Sequence, residues 1–350
     1  AEKLTLFWHG HFVSALEKVF SMHHLSKQNQ MIRTNAAGNF HTLAQGISID
    51  PAMLVYLDNW LNSKWGPQEN FARELMELFT LGQGNYTQSD VVSMAKAWTG
   101  YSEKEVDPFS YLYRSTWHDT SVKQLFSVPA KNWDGPAALT EVIKGSKAVA
   151  SARFITAELF SFFAYPVKPA DAVVAPLADG FRRDWSILNL VKAIFKSSAF
   201  WSATARRSLV RSPVEWFVAS MQATGQTAAQ VMPVWWMPNS GQQLFNAPNV
   251  SGWGQNQYWL STSSAWARSG FASHARWKAT EAGVLTSALT ATPPVAVQQA
   301  FTQFGIVDPA PSTRAALEAY VTRARAEGDS WAVQPNLIML TMLSPDFQVA

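Results

Sequence analysis

Apolar side chains recur at helical spacing along almost the whole chain. Between residues 3 and 21 they lie three and four positions apart, and His11 falls in the middle of that apolar stripe. Asp50 followed by Pro51 is typical of a helix start and predicts a helix over about 51–62. The pattern therefore predicts an all-α protein, a multi-helical globular bundle with long irregular loop insertions.

Two stretches lack this helical periodicity. We expect an irregular insertion over about 101–136 and a loop rich in Pro, Asn, Gly and Trp over about 236–260. Loops of this kind carry function more often than helices do. The sequence as a whole predicts one large helical domain over 1–350, with 295–350 as a candidate C-terminal helical subdomain.

The most informative segment is a predicted acidic helix over about 68–81, which ends at Gly82. Glu74 and Glu77 are three positions apart, so they share one face of this helix. Many of the neighbouring side chains are large and apolar, so we expect these acids in or near a core. Buried acids are costly unless they are paired or used. The sequence therefore predicts the functional site on this helix.

An ion-pair network is the structural alternative for the same helix. Arg73 lies four positions from both Glu69 and Glu77 and can pair with either acid. Asn70 joins the face of Glu74. Structural ion-pair networks are common, so both interpretations stay open at this point.

Composition excludes several classes of function. The 350 residues include 28 basic and 25 acidic side chains, a net charge of +3 that is too even to indicate a nucleic-acid partner. The absence of cysteine excludes disulfides and thiolate metal sites. No apolar run is long enough to span a membrane. The sixteen tryptophans are typical either of sugar and partner binding or of a large aromatic core.

A set of short motifs resembles a known family in identity and in order. The motifs are Phe7–Phe12, Asp50–Leu54, Tyr56–Asn59, Glu69–Gly82, Tyr86–Thr87, Asp90–Val91, Thr99–Gly100, His118–Asp119, Lys123, Ser212–Glu215, Pro248–Val250, Gly252–Trp253 and Ser344–Gln348. Together they resemble, over most of the chain, the large bacterial family called domain of unknown function 1800. Gln68 and Gln88 depart from the family pattern, which tends to Asn and Glu there.

The resemblance implies location rather than chemistry. Members of the family usually look exported and often carry an additional N-terminal segment. The chain begins inside the pattern and shows no signal peptide, so we expect that such a segment is missing or has been processed away. The resemblance thus implies a periplasmic or extracellular protein. The family name supplies no reaction, so the chemistry depends on the residues themselves.

Five residues are the catalytic candidates: Glu74, Glu77, His11, Asp58 and His118. Two carboxylates on one helix face suit an acid/base pair or a divalent metal in a helical bundle. For glycoside cleavage the two carboxyls lie roughly 5–10 Å apart across the bond, which neighbours on one helix rarely achieve. His11 and Asp58 would then tune a glutamate, with His118 at the rim.

Six further residues are the substrate-binding candidates: Trp8, His9, Asn70, Arg73, Asp119 and Trp253. Several of the candidate residues also have a purely structural interpretation. His11 is equally typical of a hydrogen-bonded core histidine, and Asp58 of a helix-to-loop anchor. His118 with Asp119 also suits a turn with an exposed histidine, and Trp253 a plug between helices.

The leading hypothesis is an exported bacterial hydrolase-like enzyme that acts on a glycan or another polymer through the buried acidic helix. The first alternative is a divalent-metal-binding helical protein with Glu74, Glu77 and His11 as ligands. The second is a non-enzymatic cell-surface binding or assembly module. A polysaccharide or another cell-surface component is the expected partner.

Overall fold

The chain folds as a predominantly helical protein, as predicted. The computed structural model describes residues 1–103 and 110–349, which form nineteen α-helices and one two-stranded sheet. The chain divides into two compact units. Unit 1 comprises Ala1–Ala205 with Phe245–Trp253, and unit 2 comprises Arg206–Leu244 with Gly254–Ala350. The expectation of one domain over 1–350 stays a prediction.

Unit 1 contains eleven α-helices and the sheet among its described residues. The helices are α1 (Glu2–His11), α2 (Leu16–Val19), α3 (Met22–Asn35), α4 (Phe40–Ser48), α5 (Pro51–Tyr56), α6 (Glu69–Met76), α7 (Gln88–Ala97), α8 (Gly135–Lys144), α9 (Ala148–Phe163), α10 (Val174–Phe181) and α11 (Ile187–Lys196). Strands β1 (Tyr101–Glu103) and β2 (Tyr111–Tyr113) pair antiparallel, with Tyr101 opposite Tyr113. Short 3₁₀ turns lie at Asn59–Leu61 and Ser115–Trp117, and a π-helical turn lies at Glu77–Leu81.

Side-chain caps explain several of these helix starts. The Asp50 carboxylate accepts the backbone N–H of Met53 at 3.2 Å, and Pro51 follows at the first helical position. Thr87 and Asp90 form a reciprocal capping box at the start of α7. Each cap satisfies backbone donors that the first helical turn leaves unpaired.

Two predicted helices are interrupted. The stripe over 3–21 breaks after His11, because the Leu16 backbone N–H donates to the Phe245 carbonyl at 2.8 Å instead of continuing α1. The helix expected over 51–62 ends at Tyr56, because Asp58 takes a left-handed conformation with φ of 61°. In both places local geometry or tertiary contact outweighs the helical pattern.

Aromatic rings from the first helices fill the core of unit 1. Trp8 is fully buried and stacks on Phe12 at 5.4 Å and on Phe40 at 5.8 Å between ring centroids. Its indole N–H donates to the Ala36 carbonyl at 2.9 Å, so the buried polar atom is satisfied. Removing so large a buried ring typically costs about 3–5 kcal/mol. Trp8 therefore belongs to the framework that positions α1.

Unit 2 contains the other eight described helices. They are α12 (Pro213–Thr224), α13 (Ala228–Val231), α14 (Met237–Ser240), α15 (Thr262–Glu281), α16 (Pro293–Gln303), α17 (Pro311–Ala326), α18 (Ser330–Leu343) and α19 (Pro345–Gln348), with 3₁₀ turns at Pro233–Trp235, Asn256–Leu260 and Thr286–Leu289. The long helices α15 and α18 pack together, and Trp216, Phe217 and Phe271 are fully buried at their core.

The irregular regions are only partly covered by these elements. The insertion expected over about 101–136 contains the β1–β2 pair and one 3₁₀ turn, and residues 104–109 within it lie outside the described residues. The expected loop over about 236–260 contains α14 and another 3₁₀ turn. The predicted loop insertions therefore stay predictions. Among the described residues, no helix combines the length and apolar character needed to cross a membrane.

Candidate active site

The acidic helix widens at Glu77. Helix α6 runs directly into the π-helical turn at Glu77–Leu81, which Gly82 ends with φ of 75°. The Thr80 hydroxyl donates to the Leu75 carbonyl five residues earlier, at 2.5 Å, and so satisfies a carbonyl within the widened turn. Single π turns inside helices are rare and are found frequently at functional sites.

Glu77 is held by two neutral donors from the segment after the helix. Its carboxylate accepts the Tyr86 hydroxyl at 2.5 Å and the Gln83 side-chain amide at 2.7 Å. The hydrogen bond from Tyr86, followed by the one from Gln83, holds the pKa of Glu77 below its usual range. Arg73 does not pair with Glu77, since it forms its ion pair with Glu69 at 3.0 Å. Glu77 is therefore an ionised, oriented carboxylate.

Glu74 differs from Glu77 in its hydrogen-bond partners and in the direction of its pKa shift. Its half-buried carboxyl has no hydrogen bond or ion pair within the described part of the chain. Burial is the main cause that raises the pKa of Glu74, and the negative charge of Glu77 adds to it, while Arg73 opposes both. The two acids on this helix face therefore have pKa values displaced in opposite directions, upward for Glu74 and downward for Glu77.

His11 anchors the widened turn rather than a carboxylate. Its Nε2 lies 3.0 Å from the Phe79 carbonyl oxygen, to which it must donate, because a carbonyl can only accept. Rings of Phe7, Phe12 and Phe154 surround the imidazole, and burial lowers its pKa to about 4. His11 is therefore neutral near pH 7 and ties α1 to the end of the acidic helix.

Asp58 lies at the surface beside the acidic helix. It pairs with Lys18 at 2.7 Å, both side chains being about two-fifths exposed, whereas the hydrogen bond of His11 is to the Phe79 carbonyl. Asn70 donates its side-chain amide to the Leu57 carbonyl at 3.3 Å. The negative charge of Glu74 contributes, after burial, to a raised pKa of Tyr56. The end of α5 therefore borders the face that carries Glu74.

His118 is buried, and its Nδ1 donates to the Thr99 carbonyl at 2.9 Å. Asp119 accepts the Ser121 backbone N–H at 2.8 Å in the predicted turn. Burial alone would raise the pKa of Asp119, but hydrogen bonds from Ser121 and the charge of Lys123 lower it instead. No contact in the described part of the chain joins His118 or Asp119 to either glutamate.

Lys123 is a structural feature that sequence reasoning did not assign. Its ammonium is almost completely buried and donates to the carbonyls of Asp119 at 2.6 Å and Ser121 at 2.9 Å, and to the Asn132 side chain at 3.2 Å. The buried Lys123 ammonium is satisfied by these three acceptors, and it therefore holds the turn that carries His118 and Asp119 in place.

The N-terminal candidates face the segment Phe245–Trp253. His9 is buried, and its Nε2 accepts the Phe245 backbone N–H at 3.0 Å, while its ring lies 5.4 Å from the Trp253 ring. Burial lowers the pKa of His9 to about 4. Gly252 has φ of 81°, and a Cβ there would run into the carbonyl oxygen of Gly10. His9 and Trp253 thus fasten a loop, and the fully buried Trp8 offers no surface to a ligand.

The structure therefore brings together only part of the predicted set. Glu74, Glu77, Arg73, Asn70 and Asp58 lie on α6 or at the adjoining end of α5. The other candidates serve core, loop or turn contacts. Sequence reasoning missed Tyr86 and Gln83, the donors to Glu77, although Tyr86 lies in one of the recognised motifs.

Comparison with known proteins gives a family without a reaction. A family model described as "Protein of unknown function (DUF1800)" matches residues 1–349. The chain belongs to the DUF1800 family. No curated protein and no solved structure is significantly similar to it.

The metal alternative for this DUF1800 chain stays a prediction. Within residues 1–103 and 110–349, no group of three or more His, Asp or Glu side chains is placed to hold a metal ion. His11, the expected third ligand beside Glu74 and Glu77, uses its Nε2 for the Phe79 carbonyl.

A cavity in unit 2 of the DUF1800 chain does not coincide with any candidate. It measures about 600 Å³ and is lined by neutral side chains of the segments 283–287 and 294–303. Its lining contains no carboxylate, histidine or aromatic ring. None of the candidate site residues therefore lines this cavity.

The end of the widened turn gives a first testable prediction. We expect Gly82→Ala to lower the free energy of unfolding by about 1–3 kcal/mol, because the positive φ disfavours a side chain and its Cβ would lie 2.9 Å from the Phe154 ring. Urea unfolding measures the loss. Gly84→Ala is the matched control, since φ is 81° and nothing lies within 4 Å of its Cβ. Equal losses in both variants would contradict the role of the Phe154 contact.

Proposed function

We propose that this DUF1800 protein is an exported hydrolase-like enzyme that cleaves a polymer, with a glycan as its substrate class. Glu74 is the general acid, and Glu77 is an ionised neighbour on the same side of the scissile bond rather than a second carboxyl across it. The observation that carries the proposal is geometric: Tyr86 and Gln83 both donate to Glu77, whereas the Glu74 carboxyl on the same helix face has no partner within the described residues. The pKa directions agree with this arrangement, since that of Glu74 is raised and that of Glu77 is lowered. Pairs of acids whose environments separate their pKa values are typical of acid/base catalysis.

The two carboxyls have distinct tasks in this mechanism. The protonated Glu74 donates its proton to the leaving oxygen as the glycosidic C–O bond breaks. Glu77 stays ionised because Tyr86 and Gln83 donate to it, so it stabilises the positive charge that develops on the sugar. Water then adds its hydroxyl to the sugar carbon, and its remaining proton returns to the Glu74 carboxylate. Atoms and charges balance over the cycle.

Neighbouring groups support binding rather than proton transfer. Asn70 and Arg73 lie on the same helix as the two glutamates, and the Lys18–Asp58 pair borders its face. These side chains can donate to or accept from sugar hydroxyls. The proposed export rests on the family likeness, whose members usually look exported. The glycan substrate is supported by the large number of tryptophans, several of which are well exposed.

An activity screen tests the proposal directly. The wild-type protein and the double variant Glu74→Gln/Glu77→Gln are each incubated with a panel of purified polysaccharides, and the release of reducing ends is measured. We expect release by the wild type alone from at least one polymer. Equal release by both proteins, or none from any polymer, would contradict the proposed hydrolase. Binding without product would favour the non-enzymatic binding module.

A further inference from the structure

Two tryptophans in unit 1, one exposed and one half-buried, form an aromatic pair that the proposed chemistry does not use. Trp65 lies in the segment before α6 and is 70% exposed, and Trp117 ends the 3₁₀ turn after β2. Their ring centroids are 6.5 Å apart and their planes meet at 75°. We call these two side chains the indole pair. Burial in a core does not explain a ring as exposed as that of Trp65.

Each ring of the indole pair carries a cation. The Lys64 ammonium lies 4.9 Å from the centroid of Trp65, and the Arg114 guanidinium lies 4.6 Å from that of Trp117. Within the described residues, neither side chain has a hydrogen bond or an ion pair, and Nε of Arg114 is buried without a partner. Among the described residues, these two positive charges therefore have no acidic partner, and a bound anion would supply one.

The backbone holds the indole pair in place before any ligand binds. The Lys64 N–H donates to the Trp117 carbonyl at 2.8 Å, which joins the two segments directly. The Arg114 N–H donates to the Gly100 carbonyl at 2.8 Å, and the Gly100 N–H donates to the Asn62 carbonyl at 2.9 Å. A site built on a fixed backbone loses less conformational entropy when it binds.

We propose that the indole pair, with Lys64 and Arg114, is a binding site for an acidic polysaccharide. Sugar rings present C–H faces that stack on indole, and a carboxylate on the sugar would pair with the two cations. A nucleic acid fits less well, because only two cations are present and the acids Asp58, Glu69 and Asp119 occur in the same two stretches of chain.

The site also specifies the substrate of the proposed enzyme. The segment that carries Trp65 leads into α6, and the Gln68 N–H donates to the Asn62 side chain at 2.9 Å just before the acidic helix begins. As a statement about substrate class, the inference rests on the proposed function. As a statement about binding, it is tested without any catalysis.

The experiment measures binding of polygalacturonate by isothermal titration calorimetry at low salt. Its methyl-esterified form is the matched neutral probe, because the backbone is the same and the charge is removed. We expect the wild type to bind polygalacturonate roughly tenfold or more tightly than the ester. Trp65→Ala and Arg114→Gln should each weaken this binding roughly tenfold. Trp331→Ala is the control, since Trp331 is 67% exposed and lies in unit 2.

Several outcomes would overturn the site. These are absence of binding to polygalacturonate, equal affinity for the ester, unchanged affinity in both variants, and tighter binding of single-stranded oligothymidylate. Circular dichroism of each variant checks that it is folded. Binding of polygalacturonate without cleavage of any polymer would contradict the proposed hydrolase activity but support the binding site. Cleavage of a neutral glycan without binding of polygalacturonate would do the reverse.

Discussion

Glu74→Gln is expected to lower the rate of polymer hydrolysis by roughly 10²–10⁴-fold, because glutamine cannot donate the proton that the leaving oxygen needs. The same change should leave the protein as stable or slightly more stable. The half-buried Glu74 carboxyl has no partner in the described part of the chain, and its raised pKa shows that the folded protein disfavours its charge. A gain of stability with a loss of activity is typical of a functional residue.

Glu77→Gln and Glu69→Gln complete this experiment. Glu77→Gln should lower activity and also stability, because it weakens the charge-assisted hydrogen bonds from Tyr86 and Gln83. Glu69→Gln removes an ion pair with Arg73 whose side chains are about two-fifths exposed, and activity should be unchanged. Full activity of Glu74→Gln, on a substrate that the wild type cleaves, would refute the assignment of the acid.

The pH profile follows from the same two shifts. Activity requires Glu74 with its proton and Glu77 without one. It should therefore fall as the pH rises through the raised pKa of Glu74, and fall again below the lowered pKa of Glu77. In Glu74→Gln the alkaline limb should disappear from any residual activity. A persistent alkaline limb would assign it to another group.

We expect low pH to reduce the free energy of unfolding, because the folded protein keeps His9 neutral. Burial lowers the pKa of His9 in the folded state to about 4, from an ordinary value of 6.5. Between pH 6.5 and about pH 4, His9 is protonated in the unfolded chain but neutral in the folded protein. The free energy of unfolding therefore decreases as the pH falls through this range. From pH 7 to pH 5 we expect a loss of about 2 kcal/mol from this residue. Protonation would also abolish the hydrogen bond that Nε2 accepts from Phe245.

His9→Gln isolates this contribution. A glutamine side-chain oxygen can accept the Phe245 N–H without titrating, so urea unfolding at pH 7 and at pH 5 should show the smaller loss in the variant. Asp50 acts in the opposite sense, because burial raises its pKa to about 7 and its contribution is lost as the pH rises. Both proteins contain Asp50, so its effect cancels in the comparison. Parallel pH dependence in the two proteins would contradict the role of His9.

Local rules predicted the start of α5 and also explain the start of α7. The cap at Asp50 with Pro51 and the capping box of Thr87 with Asp90 need only residues three positions apart, so the sequence contains all the information. The predominance of helix follows from the apolar spacing for the same reason. The family was recognisable because its motifs occur in order over most of the chain.

Long-range contacts explain what the sequence did not reveal. The break after His11 depends on Phe245, more than two hundred positions away, and the burial of His118 depends on the Thr99 carbonyl. The π turn is invisible to helical periodicity, since a single widened turn preserves the apolar pattern. Glu77 differs from Glu74 because it accepts a hydrogen bond from Tyr86. Tyr86 follows a turn, and the sequence does not specify in which direction that turn leads the chain.

The assignment of Phe245–Trp253 to unit 1 has a consequence for dissecting the molecule. The polypeptide passes from one unit to the other after Ala205, returns at Phe245, and leaves again after Trp253. No single cut of the chain therefore yields two intact halves. A fragment that stops at residue 205 would lose the Phe245 N–H that His9 accepts and the contact of Gly252 with Gly10, so we expect it to be less stable than a fragment that retains residues 245–253.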